Sequence, residues 1–567
     1  MERRPFALAQ TVPMPPDRSS RRFALRLLAS AAALRLSGVS RAHAVATQRV
    51  PGPLLEGMGR YTLAGAAADA KVQRYVDQGM VLAFGFNPAE AARSFESAIA
   101  LDAKCLAAWW GLAWSLGPTI NADMADADRP RVEAAVARAA ALARRARSRF
   151  RDLAEALAVR HPRGRPLDEE AYASRMRALA KRHADDADVQ MLAAEALMNL
   201  HPYDWWQPDG RPQPWTEEID ALLARAIALD PDHPGALHYR IHLHESSPRP
   251  EAALDAADRL VALVPGSGHL LHMPAHIYMR TGRYADASAA NRRSIAADER
   301  YLAQVDAQGA YRVGYVAHNH HFLYASAAMQ GRSAEATAAA RAAWPAACGP
   351  RPGDRSTAIL QHYSLLPLHA LVRFGRWKEI LAGTLPPDVA EPYPLAIWHY
   401  ARGTALVRSG EARAAREALA RVERFAADPA LQAVRVKNIN AAASLARIAA
   451  LTLRADVDLA ERRAADAVER LREAVAVEDA LTYDEPHLWL APTRHALGAA
   501  QLAAGRGGDA ERTFRADLAH YPENGWSLIG LARSLRAQGR NEAAKDVDRR
   551  FRTAWADADV RIDGSRF

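Results

Sequence analysis

The sequence predicts an all-α fold, a solenoid of about nine or ten stacked helical hairpins. Glycine-containing turns recur ahead of alanine-rich segments. They include Thr281-Gly282-Arg283-Tyr284, Gln330-Gly331-Arg332-Ser333, Phe374-Gly375-Arg376-Trp377, Ser409-Gly410-Glu411, Ala504-Gly505-Arg506 and Gln538-Gly539-Arg540. Several second helices close on a Leu-Asp or Pro signal, as in Ala228-Leu229-Asp230-Pro231 and Ala100-Leu101-Asp102. No strand-like alternation of useful length interrupts this pattern.

Composition fits that class. Of 567 residues, 50% are hydrophobic and 25% charged, with a mean hydropathy of −0.24. That is enough apolar material for a large core, and too polar for a multi-span membrane protein. The formal net charge is +9, but residues 1–44 hold eight arginines against Glu2 and Asp17 and so carry +6, leaving +3 for the rest. A nucleic-acid partner is therefore not expected. The two cysteines, Cys105 and Cys348, form no CxxC, which excludes thiolate zinc sites and thioredoxin chemistry.

Residues 1–44 read as an address. Ser20-Arg21-Arg22-Phe23-Ala24-Leu25 resembles the twin-arginine export motif, a small-residue run follows at 27–34, and Ala42-His43-Ala44 offers a cleavage site. The run is too short to span a bilayer, and no other stretch reads as transmembrane. The expectation is an exported, periplasmic protein with no stable membrane span after signal cleavage. Met14 is an alternative start. A linker is expected at 45–70, then N-terminal repeats (71–232), His-rich central repeats (233–380) and C-terminal repeats (381–567).

The repeats share one register. In the first clear unit Gly79 falls at position 8, Ala91 at 20, Phe95 at 24 and Ala98 at 27. Near the C-terminus Gly498 falls at 8, Ala510 at 20 and Pro522 at 32. Small residues at these places let two helices approach, and large ones fill the groove between hairpins. The pattern resembles the tetratricopeptide repeat (TPR), which implies a right-handed superhelix whose first helices line a concave face.

Histidine placement is the informative feature. Ten of the twenty histidines lie in residues 233–321. In the repeat numbering His238 and His242 take positions 5 and 9 of one unit, with Glu245 at 12. His269, His272 and His276 take 2, 5 and 9 of the next, His318 and His321 take 2 and 5 of the one after, and His362 and His369 take 2 and 9 of a fourth. This spacing is one stripe of a helix, and the family resemblance places that stripe on the ligand-holding face. Helices packed 8–10 Å apart can bring imidazoles from successive repeats to a shared metal. The expected ligands are His238, His242, His269, His272, His276, His318 and His321, with Glu245 or a water completing the shell. The cofactor is a divalent transition metal, Zn, Cu or Fe. A metal-free groove binding a protein segment or a small acidic ligand is the alternative.

Glu245, His362, His369, Glu195 (position 9 of an earlier repeat), Trp110 and Trp114 (positions 5 and 9 of the second) are further groove candidates. His244, His320 and His399 are expected to point into helix packing. The junctions His201–Trp206, with Asp204, and Tyr483–His487 either cover the groove mouth or cap turns. HExxH, GxSxG, P-loop and dinucleotide motifs are absent. His238-Tyr239-Arg240-Ile241-His242, His269–Tyr278 and Asn524-Gly525-Trp526-Ser527-Leu528 resemble a group of exported bacterial TPR proteins of about this length. That resemblance implies fold rather than chemistry. Generic TPR peptide clamps use Lys, Arg and Asn where His stands here.

Overall fold

A computed structural model describes residues 52–567, apart from 208, 306, 308–309, 349–356 and 387–388. The twin-arginine-like leader, its cleavage site and Met14 lie outside the described residues. From Ala70 onward, helix follows helix, each packed on the one before and the one after. Side-chain caps start several of the helices. The Asp69 carboxylate accepts from the amides of Lys71 and Val72 ahead of Ala70–Phe84, and Asn87 caps Pro88–Leu101, with proline in the first turn where its missing donor costs nothing. The turns are set by glycine. Gly282, Gly331, Gly375, Gly410, Gly505 and Gly539 all have φ between 63° and 79°, a region that penalises a side chain.

The same wedge packs the hairpins at both ends of the chain. Phe95 lies fully buried between Gly79 and Gly111, and a Cβ on Gly79 would sit 2.7 Å from Phe95 Cζ. Phe514 lies in the same way between Gly498 and Gly530. An aromatic ring at position 24 thus occupies the space that two glycines leave open on consecutive first helices. The chain is an all-α solenoid of TPR-type hairpins.

The array folds back on itself. The Trp526 indole donates to the Ala328 carbonyl (2.9 Å), and the Asp559 carboxylate accepts from the amides of Ser333 (2.7 Å) and Ala334 (2.9 Å). At the other end Gly266 donates to Gly57 (2.8 Å) and Asn121 reaches the Tyr315 hydroxyl (3.3 Å). N-terminal, central and C-terminal repeats therefore meet, and residues 51–567 form one compact unit. No helix among the described residues is long and apolar enough to cross a membrane.

Two details differ from the sequence reading. Residues 52–69, read as linker, are packed. Leu63 is fully buried, Leu55 donates to Gln78 Oε1 (2.7 Å), and the Tyr61 hydroxyl donates to Asp188 (2.5 Å). The fold also holds one two-residue antiparallel ribbon, Arg435–Val436 against Asn440–Ala441, too short to show as sequence alternation. Seven helices build the histidine-lined interior: α1 (Ala70–Phe84), α2 (Pro234–Glu245), α3 (Gly268–His272), α4 (Pro274–Arg280), α5 (Tyr284–Gln304), α6 (Ala317–Met329) and α7 (Ala358–Arg373).

Candidate metal centre

His238 and His242 project one turn apart from α2, whose N-terminus is capped by His233 Nδ1 accepting from Ala236 (3.2 Å). α3 carries His269 and His272, and α4 carries His276. Pro274 divides these two helices because it lacks an amide proton. Met273 nevertheless keeps helical dihedrals (φ −51°, ψ −38°), so His272 and His276 stay one turn apart on one face. His318 stands on α6, just after a single π-helical turn, Arg312–Val316. That turn brings the Tyr315 ring to 4.7 Å from His269.

The structure gathers six of these imidazoles into two sets of three. One nitrogen each from His238, His242 and His269 lies within 4.8 Å of the others, and the same holds for His272, His276 and His318. The side chains are 0–8% exposed, so the interior is closed rather than an open groove at this level.

Second partners fix the ring tautomers. His238 Nδ1 lies 2.6 Å from the Phe84 carbonyl at the end of α1, which can only accept. His272 Nδ1 lies 2.8 Å from Asn291 Oδ1, and the Asn291 amide nitrogen is committed to the Ala287 carbonyl. His242 Nδ1 lies 2.9 Å from Glu245 Oε1, and His276 Nδ1 contacts the other carboxylate oxygen, Oε2. At His238, His242 and His272 the partner atom can only accept, so Nδ1 carries a proton there. The Nε2 atoms of His238 and His242 and both nitrogens of His269 have no hydrogen-bond partner. His272 Nε2 and His276 Nε2 are hydrogen-bonded to each other at 2.9 Å. A buried polar atom without a partner costs about 1–3 kcal/mol, and a cation held by these nitrogens would offset that cost.

The electrostatics keep the nitrogens free. Burial holds His238, His269, His272 and His318 well below the ordinary histidine range, helped by neighbouring imidazoles and, at His318, by Lys437. Burial alone would raise Glu245, but His276 and then His242 more than offset it, and the carboxyl titrates well below its usual range. Glu245 is therefore an ionised orienting group at Nδ1 of two rings, the carboxylate–histidine arrangement common behind bound metals. The sequence spacing had offered it instead as a ligand completing the shell. Three imidazole nitrogens per set would leave a tetrahedral ion one open position, as catalytic rather than structural metal sites do.

The other predicted residues fall elsewhere. His321 joins neither set. Its ring lies 5.3 Å from His362 and 6.0 Å from Tyr363, and neither of its nitrogens has a hydrogen-bond partner. His362 Nδ1 pairs with the Tyr393 hydroxyl (2.9 Å), and His369 packs on Trp489. Trp110 and Trp114 stack at 5.6 Å in the core, Trp114 also meeting Phe84. Glu195 accepts from Asn199 (2.5 Å), and burial pushes its carboxyl up to about 7 against the opposing pull of Arg160. These three form a neighbouring polar-aromatic layer outside both sets. His244 reaches Asp220 (3.1 Å), His399 stacks on Phe425, and His320 belongs to neither set. Asp204 braces its own turn through Gln213 (2.7 Å), while Tyr203 from that segment lies 6.1 Å from His242. The second junction contributes Asp484 and Glu485, held by Lys437 Nζ at 2.9 and 3.0 Å.

Several contributors are invisible in sequence. Phe86 packs on His238, His242 and His269 (4.7, 5.6 and 5.3 Å), and Phe322 on His272, His276 and His318 (4.6, 4.5 and 5.1 Å). Phe84, Asn291 and Lys437 also come from distant repeats or second helices, with no spacing signal.

No protein-family model matches the chain, and no curated protein matches it by sequence. Similar solved structures include a human IFIT1 dimer with m7Gppp-AAAA (TM-score 0.30, 11% identity, covering 86% of this chain and 91% of that one). Others are the APC/C hetero-tetramer Cut9–Hcn1 (0.25, 13%, 86% and 95%) and the P58(IPK) TPR domain (0.22, 11%, 83% and 99%). At such scores the likeness carries no argument, and the repeat assignment rests on the packing described above.

Proposed function

We propose that this protein is an exported TPR solenoid that binds a transition metal inside its histidine-lined hollow, with one coordination position open for a water or substrate. The observation that carries this reading is the convergence of buried imidazoles in two sets of three. One nitrogen from each ring of a set lies within 4.8 Å of the other two, and His238, His242 and His272 are each held by a hydrogen bond at Nδ1. Unpaired nitrogens alone do not mark a site, since His244, His321, His362 and His369 have them as well. With an open position, the ion could polarise a substrate or activate water.

Elemental analysis of protein purified from the exported fraction tests the reading. Stoichiometric Zn, Cu or Fe is expected, together with a higher Tm when the metal is restored. No metal, and melting unchanged by added Zn, Cu or Fe, would reject it and leave the scaffold reading, a solenoid that holds a protein segment or small acidic ligand. A His272→Ala, His276→Ala double variant that kept its full metal content would reject these residues specifically. Export is tested separately: Arg21→Lys with Arg22→Lys should hold the chain in the cytoplasm, and unimpaired export would remove the twin-arginine assignment.

A further inference from the structure

We infer that the hollow is a dinuclear copper centre, one ion in each set of three imidazoles. This rests on the metal-binding reading and adds the number of ions and their identity.

The argument begins with the repeat. His238 and His242 occupy positions 5 and 9 of one unit, and His269 occupies position 2 of the next. His272 and His276 occupy positions 5 and 9 of that next unit, and His318 occupies position 2 of the one following. Each set is therefore built by the same rule: positions 5 and 9 of one hairpin plus position 2 of its successor. The structure brings both groupings to within the same 4.8 Å. Each also receives one phenylalanine wall, Phe86 or Phe322, in contact with all three of its rings. Two sites related by one repeat step are expected to take the same ligand.

The rule also explains where the series stops. The next unit offers His321 at position 5 and His362 at position 2 of its successor, but position 9 is Ala325. His321 and His362 do face each other, at 5.3 Å between ring centroids, yet two imidazoles remain where three are needed. On the other side, the preceding unit has Glu195 at position 9 and Gly235 at the succeeding position 2. The chain completes the set twice among the described residues.

The two sets are neighbours. His269 lies 5.9 Å from His272, and His242 lies 6.2 Å from His276. Glu245 touches one ring of each, so a single carboxylate orients both positions and supplies negative charge between them. Two dications this close repel with four times the energy of two monocations. The donors are six imidazole nitrogens, with no carboxylate or thiolate among them. Imidazole donors suit copper, which heads the divalent affinity series, and copper alone among Zn, Cu and Fe also holds a stable monocation that lowers the repulsion. An ion about 2.0–2.1 Å from each nitrogen sets them about 3.3 Å apart, so wider pairs within the 4.8 Å limit would close and the His272–His276 Nε2 pair, now 2.9 Å apart, would open, by side-chain rotation.

The full chain is stripped with chelator, loaded without oxygen with excess Cu(I) or, in parallel, Zn(II), desalted, and its metal counted. Two copper equivalents per chain are expected, and at most weakly retained zinc. His238→Ala and His318→Ala should each retain one copper, and the pair together none. His321→Ala should retain two. Ala325→His, which completes the third set with His321 and His362, should retain three. A wild-type count of one overturns the dinuclear arrangement while leaving metal binding intact. Two zinc with no copper overturns the choice of metal, and zero of either overturns the metal reading itself. An Ala325→His variant with wild-type melting that stays at two overturns the repeat rule.

Discussion

Two groups of histidines share one stripe of the same solenoid, and they differ in what the protein does with them. In the first, six imidazoles from α2, α3, α4 and α6 form two sets, three of the rings held by a hydrogen bond at Nδ1. In the second, His321, His362 and His369 are equally buried, but His362 and His369 lie 6.4 Å apart and no triplet closes. Burial and stripe position are common to both. The difference is position 9 of one hairpin, His242 and His276 in the closed sets and Ala325 in the open one, together with the carboxylate that reaches back from Glu245. Convergence, not histidine content, is what marks a site.

That contrast can be broken most severely from within the closed sets. His242→Ala with His276→Ala removes position 9 from both and strands Glu245 as a buried carboxylate without its two partners. We expect loss of all bound metal by elemental analysis and a fall in stability of about 3–5 kcal/mol by urea melting. Retained metal would mean that the rings outside position 9 suffice. Removing packing instead of chemistry gives a loss of similar size with the opposite signature. Phe514→Ala empties the wedge between Gly498 and Gly530 and should cost about 3–5 kcal/mol, with metal per folded chain unchanged. A drop in metal content would tie the C-terminal wedge to the site.

Glu245→Gln sharpens the orienting role. It keeps the side-chain volume and removes the charge that favours Nδ1–H on two rings, so metal affinity should fall by about 10–100-fold in a competition titration, with little change in maximal content. An unchanged affinity would make Glu245 a bystander. The smallest effect concerns Asp298, which braces Tyr311 (2.8 Å) and Asn319 (2.7 Å) beside α6. Burial raises its carboxyl from 3.8 to about 7, against the pull of those two hydrogen bonds. A folded value above the unfolded one means the stability it contributes is complete below pH 3.8 and lost as pH rises through about 7. Asp298→Asn should therefore gain on the wild type by up to a few kcal/mol between pH 4 and 7, read as a diverging pair of Tm curves. Parallel curves would mean that Asp298 does not titrate there.

Much of the fold was legible because the repeat writes itself in small residues and turn glycines. Gly79 with Phe95, Gly498 with Phe514, and the six positive-φ turn glycines all announce close approach or chain reversal locally. The histidine stripe was legible for the same reason: positions 2, 5 and 9 are fixed by helix geometry. The grouping was not. Which position 2 joins which 5 and 9 depends on the stagger between hairpins, so a single pool of seven ligands was expected where two sets of three are found and His321 is left out. Glu245 sits one turn beyond His242, close enough to read as a ligand. Only the ring orientations show that it serves Nδ1. Phe84, Asn291 and Lys437 reach the interior because the superhelix closes on itself, and nothing local in sequence records that closure.

The most direct test of the central claim is anomalous X-ray diffraction from crystals of the metal-loaded chain, collected at the copper edge. The account predicts two peaks, one ringed by His238, His242 and His269 and the other by His272, His276 and His318. Anomalous density away from these nitrogens, or none at all with the six rings ordered, would contradict it.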